Sequence, residues 1–281
     1  IAPDLFRNQI FASTAIVALF VSMGMFGSII FLPLFVQGVL GKTAQQSGQI
    51  LTPMMFSFVV GSVIGGQLIT RTGKYKAQAM VGTLLMVIGT FLLSQMGPAT
   101  AVSTVVFNIV LIGLGIGVVL PLLNVAVQNA FPYQRMGMVS ATQQFVRSLG
   151  GIVVAPILGT VLVTIFAAQL ATSMPAELQT AIHTLPPAQQ EALLNPQGLI
   201  NAETQMAIQT SFTQLGENGP QLYHQFITAV HQALTAGTTR LFAVGTVFAL
   251  LAFLATFGLK ELELQQDEFF QEKEEQVNIL E

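Results

Sequence analysis

Arg147 lies inside a long apolar run, and an ionisable side chain in that setting is the first candidate for chemistry. Gln143 and Gln144 precede it by about one helical turn, while Asn124 and Gln128 stand near the end of the preceding run. Amides and a guanidinium bind through hydrogen bonds and charge, but none of them is a nucleophile with a base beside it. From residue 5 to residue 174 there is no Asp, Glu or His. That stretch therefore holds no carboxylate pair for acid–base work, no carboxylate or imidazole metal ligand and no side chain suited to carry a proton. The chain also lacks Cys, which excludes disulfides and thiolate metal sites. We expect no cofactor, no metal and no enzymatic reaction. Recognition remains, because an unpaired cation in hydrocarbon is costly and marks a functional site by default. Arg147 lies about ten residues into its run, roughly 15 Å along a helix axis, so a structural role or snorkelling to the headgroups competes with recognition.

The elements that position these residues are membrane spans. Of 281 residues, 52% are hydrophobic and 8% charged, against about 25% charged in a soluble domain. Six apolar runs are long enough to cross a bilayer, which takes roughly 20 residues. They fall at about 9–37, 47–69, 77–96, 101–129, 137–168 and 237–259. Their length and lack of alternation predict helices, which satisfy every backbone group within one segment. The expected fold is all-α, a six-transmembrane-helix bundle. Its parts are five helices within 1–168, an extracytoplasmic helical loop at 169–236, a last helix at 237–260 and an acidic tail at 261–281.

Positive charge orients the bundle. Arg7 precedes the first span; Arg71, Lys74 and Lys76 fill the turn after the second; Arg135 precedes the fifth; Lys260 follows the sixth. Only Lys42 and Arg240 lie at the other face. The expected protein is multi-pass in the plasma membrane, with the lipid bilayer as its surroundings and both ends of the chain cytoplasmic. The net charge of −3 comes from acids in the outer segment and the tail, so no nucleic-acid partner is expected. In the outer segment, prolines separate three stretches that read as short amphipathic helices, 176–184, 188–194 and 202–215. Helical spacing from Gln221 then runs into the last span. A passive cover and a surface for an outer or periplasmic partner both fit this segment. The tail reads as a frayed helix without chemistry. The first residue is Ile, with no basic region ahead of the first span, and the chain reads as an N-terminally truncated fragment.

The glycines fall into ordered sets. Gly113, Gly115 and Gly117 lie inside an apolar span rather than after a soluble strand, which argues against a nucleotide loop. Small residues there allow close helix packing or bending, as do Gly150, Gly151, Pro156 and Gly159 in the fifth span. The turn Gly66-Gln67-Leu68-Ile69-Thr70-Arg71-Thr72-Gly73-Lys74-Tyr75-Lys76 combines a glycine for close approach, a glycine for tight reversal and a set of cations. Its charges suit the carbonyls at the negative end of the second helix.

That turn resembles the cytoplasmic motif of the major facilitator superfamily, carried here by Gly66, Arg71, Gly73 and Lys74. Thr70 stands where the motif has Asp, so a carboxylate that would pair with a neighbouring helix is missing. The segment Leu5-Phe6-Arg7-Asn8-Gln9-Ile10-Phe11, the run Ile29-Ile30-Phe31-Leu32-Pro33-Leu34-Phe35-Val36-Gln37, the Gly113–Gly117 set followed by Pro121, and Arg147-Ser148-Leu149-Gly150-Gly151 resemble the fourteen-helix drug:proton antiporter branch. The resemblance covers nearly all of residues 1–260. It implies the C-terminal six-helix half of a multidrug-efflux antiporter working by alternating access. The partner would be an N-terminal transmembrane half, and the cargo a small hydrophobic, often cationic, compound. It also implies that spans one, two, four and five line a central cavity, which makes Phe26, Met54, Asn124, Gln128 and Gln143 cavity candidates. A family exporter of another cargo (lipid, siderophore or metabolite) and a non-transporting membrane scaffold are the competing expectations.

Overall fold

The computed structural model describes residues 3–174, 196, 198–200, 202–213 and 219–260. Six of its helices are long and apolar enough to cross a membrane: α1 (Gln9–Gly38), α2 (Ala44–Thr72), α3 (Lys76–Ser94), α4 (Val102–Gln128), α5 (Met136–Ser173) and α7 (Gly219–Thr256). A shorter helix, α6 (Ala202–Thr213), precedes the last of them. No strand occurs among the described residues. The predicted helices at 176–184 and 188–194, and the tail at 261–281, lie outside the described residues. The predicted helix at 202–215 corresponds to α6. The last span differs most from the sequence expectation: α7 is one helix of 38 residues that begins at Gly219, well before the expected edge of the apolar run. The helical spacing from Gln221 already pointed to this continuity.

Local sequence explains where the helices start. The Asn8 side chain accepts the Ile10 and Phe11 N–H groups at 2.9 and 3.4 Å, capping α1. Thr43 and Gln46 form a reciprocal capping box at the start of α2, with bonds of 3.2 and 3.1 Å. Both devices occupy donors that a helix start leaves without partners. Hydroxyls at membrane depth bond back into their own helix, as Thr14 does to the Ile10 carbonyl at 2.7 Å and Thr90 to the Met86 carbonyl at 2.8 Å. Such bonds let a polar residue sit in hydrocarbon without an unsatisfied donor. Pro33, Pro53, Pro121 and Pro156 lie inside helices that nevertheless continue past them.

The bundle is assembled around α1 and α4. Helix α4 packs on α2 and α3, and α1 packs on α5 and α7; α7 joins the two groups by packing on both α3 and α5. Glycines set the α4 contacts. A Cβ at Gly117 would strike the Phe58 carbonyl of α2, and one at Gly113 would strike the Met54 carbonyl and the Ser57 hydroxyl. From the other side, a Cβ at Gly61 would come within 2.6 Å of the Leu114 carbonyl. Gly115 faces α3, where Gly82 lies against it. Gly113 and Gly117 therefore serve one neighbour and Gly115 the other, as residues two apart on a helix must. On α5, Gly150 meets the Leu19 carbonyl and Ser22 hydroxyl of α1, and Gly151 lies under the Phe26 ring. Gly66 and Gly159 face open space. The expected close approach at Gly66 thus has no partner helix among the described residues. Pro156 lies within α5 one turn before Gly159.

Replacing Gly117 with Val should therefore separate α2 from α4 and cost about 1–3 kcal/mol, the usual range for overpacking. Gly159→Ala should be neutral or slightly stabilising, because it adds a helix former without a clash. Thermal midpoints in detergent check both; equal midpoints for the two variants would remove the packing account.

Candidate functional site

Asn124, Gln143 and Arg147 come together with Gln144 along a surface crease too narrow to admit a water molecule. Helix α5 supplies the two glutamines and the arginine at one-turn spacing, α4 supplies Asn124, and the floor is Ala18, Leu120 and Leu123 from α1 and α4. Gln143 is only 3% exposed, and its Oε1 has no hydrogen-bond partner. Arg147 is half-buried and makes no hydrogen bond or ion pair among the described residues. A buried amide oxygen and a partly buried guanidinium thus lie together with unused hydrogen-bonding capacity, an unfinished polar cluster rather than a closed network.

The other cavity candidates do not join it. Met54 is 2% exposed and part of the core beside α4. Phe26 covers Gly151, and Gln128 is exposed at the end of α4 outside the crease. Gln144 belongs to the crease; its adjacency to Gln143 in sequence was the available signal. A hollow of about 760 Å³ has no counterpart in the sequence expectations. It lies between the α1–α2 turn and the early turns of α7, with Lys42, Tyr223, His224, Ile227 and His231 in its wall. The one hint was the placement of His224 and His231 seven residues apart on one helix.

The basic turn makes contacts that the sequence did not disclose. Gly73 ends α2 in the left-handed conformation at φ 66°, and its N–H bonds the Ile69 carbonyl at 2.9 Å. The cations do not cap α2 as expected. The Lys76 ammonium instead donates to the Phe257 carbonyl at the end of α7, at 2.8 Å, and the buried Tyr75 hydroxyl donates to the Lys260 carbonyl. A cation at a helix C-terminus is favourable because unpaired carbonyls make that end negative. Arg71 and Lys74 are exposed, and the Thr70 hydroxyl bonds the Gln67 carbonyl of its own helix at 2.9 Å. Nearby at the same end, Arg135 pairs with Asp4 at 3.3 Å, with both side chains more than half exposed. A pair in that setting contributes little.

The family model of the Major Facilitator Superfamily matches residues 1–155. The chain belongs to that superfamily. It is 32% identical over 281 residues to the Multidrug transporter protein MdtP of Bacillus subtilis, covering 99% of this chain and 51% of MdtP. It is 34% identical over 166 residues to Multidrug resistance protein 3 of the same organism, covering 59% of this chain and 32% of that protein. This chain therefore spans about half the length of MdtP and less of the second protein. Among solved structures, an inward-facing, unoccupied bacterial homologue of the human lysosomal transporter Spinster matches with a TM-score of 0.57 at 17% identity. The match covers 92% of this chain and 50% of that one. At that identity the likeness speaks for the fold alone, a six-helix unit equal to half of a facilitator fold. Membership in a transporter family, rather than any missing side chain, makes this chain something other than an enzyme.

Tyr75→Phe and Lys76→Met should each loosen the end of α7 by about 1 kcal/mol, the usual worth of one hydrogen bond. Hydrogen exchange checks this: faster exchange of the amides at 257–259 is expected, and exchange unchanged in both variants would mean that the contacts carry no stability.

Proposed function

We propose that this chain is the C-terminal half of a secondary active exporter that moves hydrophobic or cationic compounds across the cell membrane by alternating access, driven by protons. The observation that carries this reading is the facilitator-family six-helix unit itself, with the polar group of Asn124, Gln143 and Arg147 where α4 and α5 meet α1. The printed names of MdtP and Multidrug resistance protein 3 support drug-like cargo. The resemblance to the drug:proton antiporter branch supports the C-terminal assignment and the coupling ion. In such transporters two halves rock about a site near the midplane. No acid or His occurs from residue 5 to residue 174, so on this reading proton transfer belongs to the remainder of a longer protein. These helices supply a cargo-binding wall and a moving partner.

Orientation is part of the same reading. The ends of α2, α4 and α7 beside Arg71, Lys74, Arg135 and Lys260 would face the cytoplasm. The α1–α2 turn and α6 would face outward, in accord with the positive-inside rule.

Two measurements test the proposal. In cells making the full-length protein, efflux of a fluorescent hydrophobic dye should fall to the leak rate when a protonophore collapses the gradient. Efflux indifferent to the protonophore would remove proton coupling, and no efflux above control would remove the exporter reading. Orientation is read from single reporter cysteines, since this chain has none of its own. Cysteine at Thr43 should react with an impermeant maleimide in intact cells, and cysteine at Thr72 only after the membrane is opened. The reverse pattern would invert the topology.

A further inference from the structure

The hollow of about 760 Å³ between the α1–α2 turn, α6 and the early turns of α7 falls in the size range of small-molecule sites, about 300–1,000 Å³. Its wall has two characters. Leu199, Ile208, Ile227 and Leu234 line it with hydrocarbon, while Lys42, Tyr223, His224 and His231 bring an ammonium, a phenol and two imidazoles to the same space. No carboxylate stands in the wall among the described residues, and the side chains of Lys42, His224 and His231 make no hydrogen bond or ion pair. The wall is also held in place. Gly41 takes the left-handed conformation at φ 63°, and the Lys42 N–H bonds the Val36 carbonyl at 3.1 Å, which fixes the turn that carries Lys42. On the other side, the Phe212 ring of α6 stacks on Phe226 of α7 at 5.5 Å and meets Tyr223 at 6.0 Å. His224 and His231 share one face of α7, two turns or roughly 10 Å apart along its axis.

Cationic groups without a counter-charge favour an anion, and hydrocarbon beside them favours an anion carried on an apolar body. Lysine keeps its charge across the physiological range, whereas imidazole is the side chain that gains charge between about pH 8 and 5. The charged and titratable groups facing the hollow are Lys42 from the turn and Tyr223, His224 and His231 from α7; Leu199 and Ile208, on the α6 side, add none. We propose that this hollow binds amphipathic organic acids, molecules with a carboxylate or phosphate on a hydrophobic body, and that its two histidines tighten the binding as the medium acidifies. The sign follows from charge: a bound anion favours imidazolium over imidazole, so protonation and binding strengthen each other. The inference goes beyond the exporter reading. It concerns the end of the bundle opposite the basic turn, which on the orientation proposed above meets the outer medium.

The test uses the purified full-length protein in phosphatidylcholine nanodiscs, with empty discs as the blank. Calorimetric titration compares three soluble ligands of one shape: 2-naphthoate, 2-naphthyl phosphate and neutral 2-naphthamide. In acidic buffer both acids should bind roughly three- to tenfold more tightly than the amide, between the worth of an exposed ion pair and that of a charge-assisted bond. Lys42→Gln should remove most of that preference, and Lys42→Arg should keep it. From about pH 8 to 6, naphthoate should tighten by about threefold or more in the parent and by less than about twofold in the His224→Gln, His231→Gln double variant. Its own carboxylate stays ionised over that range. Equal affinity for acids and amide would overturn the proposal, as would no binding at all or a preference untouched by Lys42→Gln. A pH response that survives in the double variant would overturn the role of the histidines. Should Lys42→Gln fail to fold, the ranking in the parent and its decline with added salt decide. Soluble dihexanoyl phosphatidylglycerol and dihexanoyl phosphatidylcholine then serve as competitors. Displacement of naphthoate by the first alone assigns the acid to a lipid headgroup, and displacement by neither assigns it to a dissolved acid. Displacement by both equally would mean that charge is not what the hollow recognises, which overturns the proposal. Acid binding without dye efflux would sink the exporter reading alone, and efflux without acid binding would sink this inference alone.

Discussion

Hydrocarbon provides no hydrophobic push between helices, because lipid tails are as apolar as leucine; close packing and internal hydrogen bonds must hold the bundle together. The contacts of α4 meet that requirement. Its backbone comes so near α2 at Gly113 and Gly117, and so near α3 at Gly115, that a single added Cβ would collide with backbone carbonyls on either side. Dispersion energy falls steeply with separation, so three helices brought to this distance gain what a loosely packed leucine interface would lose. The smaller approach at Gly150 does the same for α1 and α5. The arrangement leaves α2 and α5 with much of their length facing outward: Phe56, Val59 and Val63 on one and Ile152, Val153 and Val163 on the other are exposed. Those surfaces need lipid or protein to cover them.

The same packing places the polar crease. Asn124 is on α4 one turn past Pro121, and Gln143 and Arg147 are on α5 close to Gly150. Because Gly150 lets α5 lie against α1, the turn of α5 below it is brought toward α4 and the crease forms where the three helices converge. A bulkier residue at Gly150 would act on the crease without touching it, through the separation of α1 and α5.

How legible this was depends on the range of the interaction. Helix number and helix type follow from runs of apolar residues, a property of each segment alone. The nearness of Gln143, Gln144 and Arg147 was also readable, because side chains one turn apart share a face; Asn124, on another helix, was a candidate only through the family resemblance. The directions of Phe26 and Met54 were not readable. On a helix as apolar all round as α1, hydrophobic periodicity does not separate the face toward a cavity from the face toward a neighbour; for Met54 of α2 the contact with Gly113 decides, and it sends Met54 into the core. The partner of Lys76 was hidden for a related reason: it lies 181 positions away, and local charge rules point to the nearest helix end, α2, rather than to α7. The hollow near His224 and His231 depends on where the early turns of α7 stand relative to the α1–α2 turn, a relation between distant segments that composition does not encode.

Arg147 concentrates the remaining tension. If its only role were to reach the headgroups, the groups beside it would be free to satisfy one another, and no pressure would keep a buried amide oxygen unpaired. Gln143 is nevertheless buried with its oxygen unused, next to a cation that could donate to it. Both groups stay without a partner among the described residues, and the Gln143 oxygen is shut off from solvent as well. On the exporter reading, the wall that carries these groups could change its affinity between the two faces of the membrane simply by gaining or losing the opposing wall. Release would then need no titrating group on this side of the molecule, which agrees with a stretch from residue 5 to residue 174 that contains no acid and no histidine. Cargo recognition and proton transfer would sit on different helices, coupled only through the distance between them.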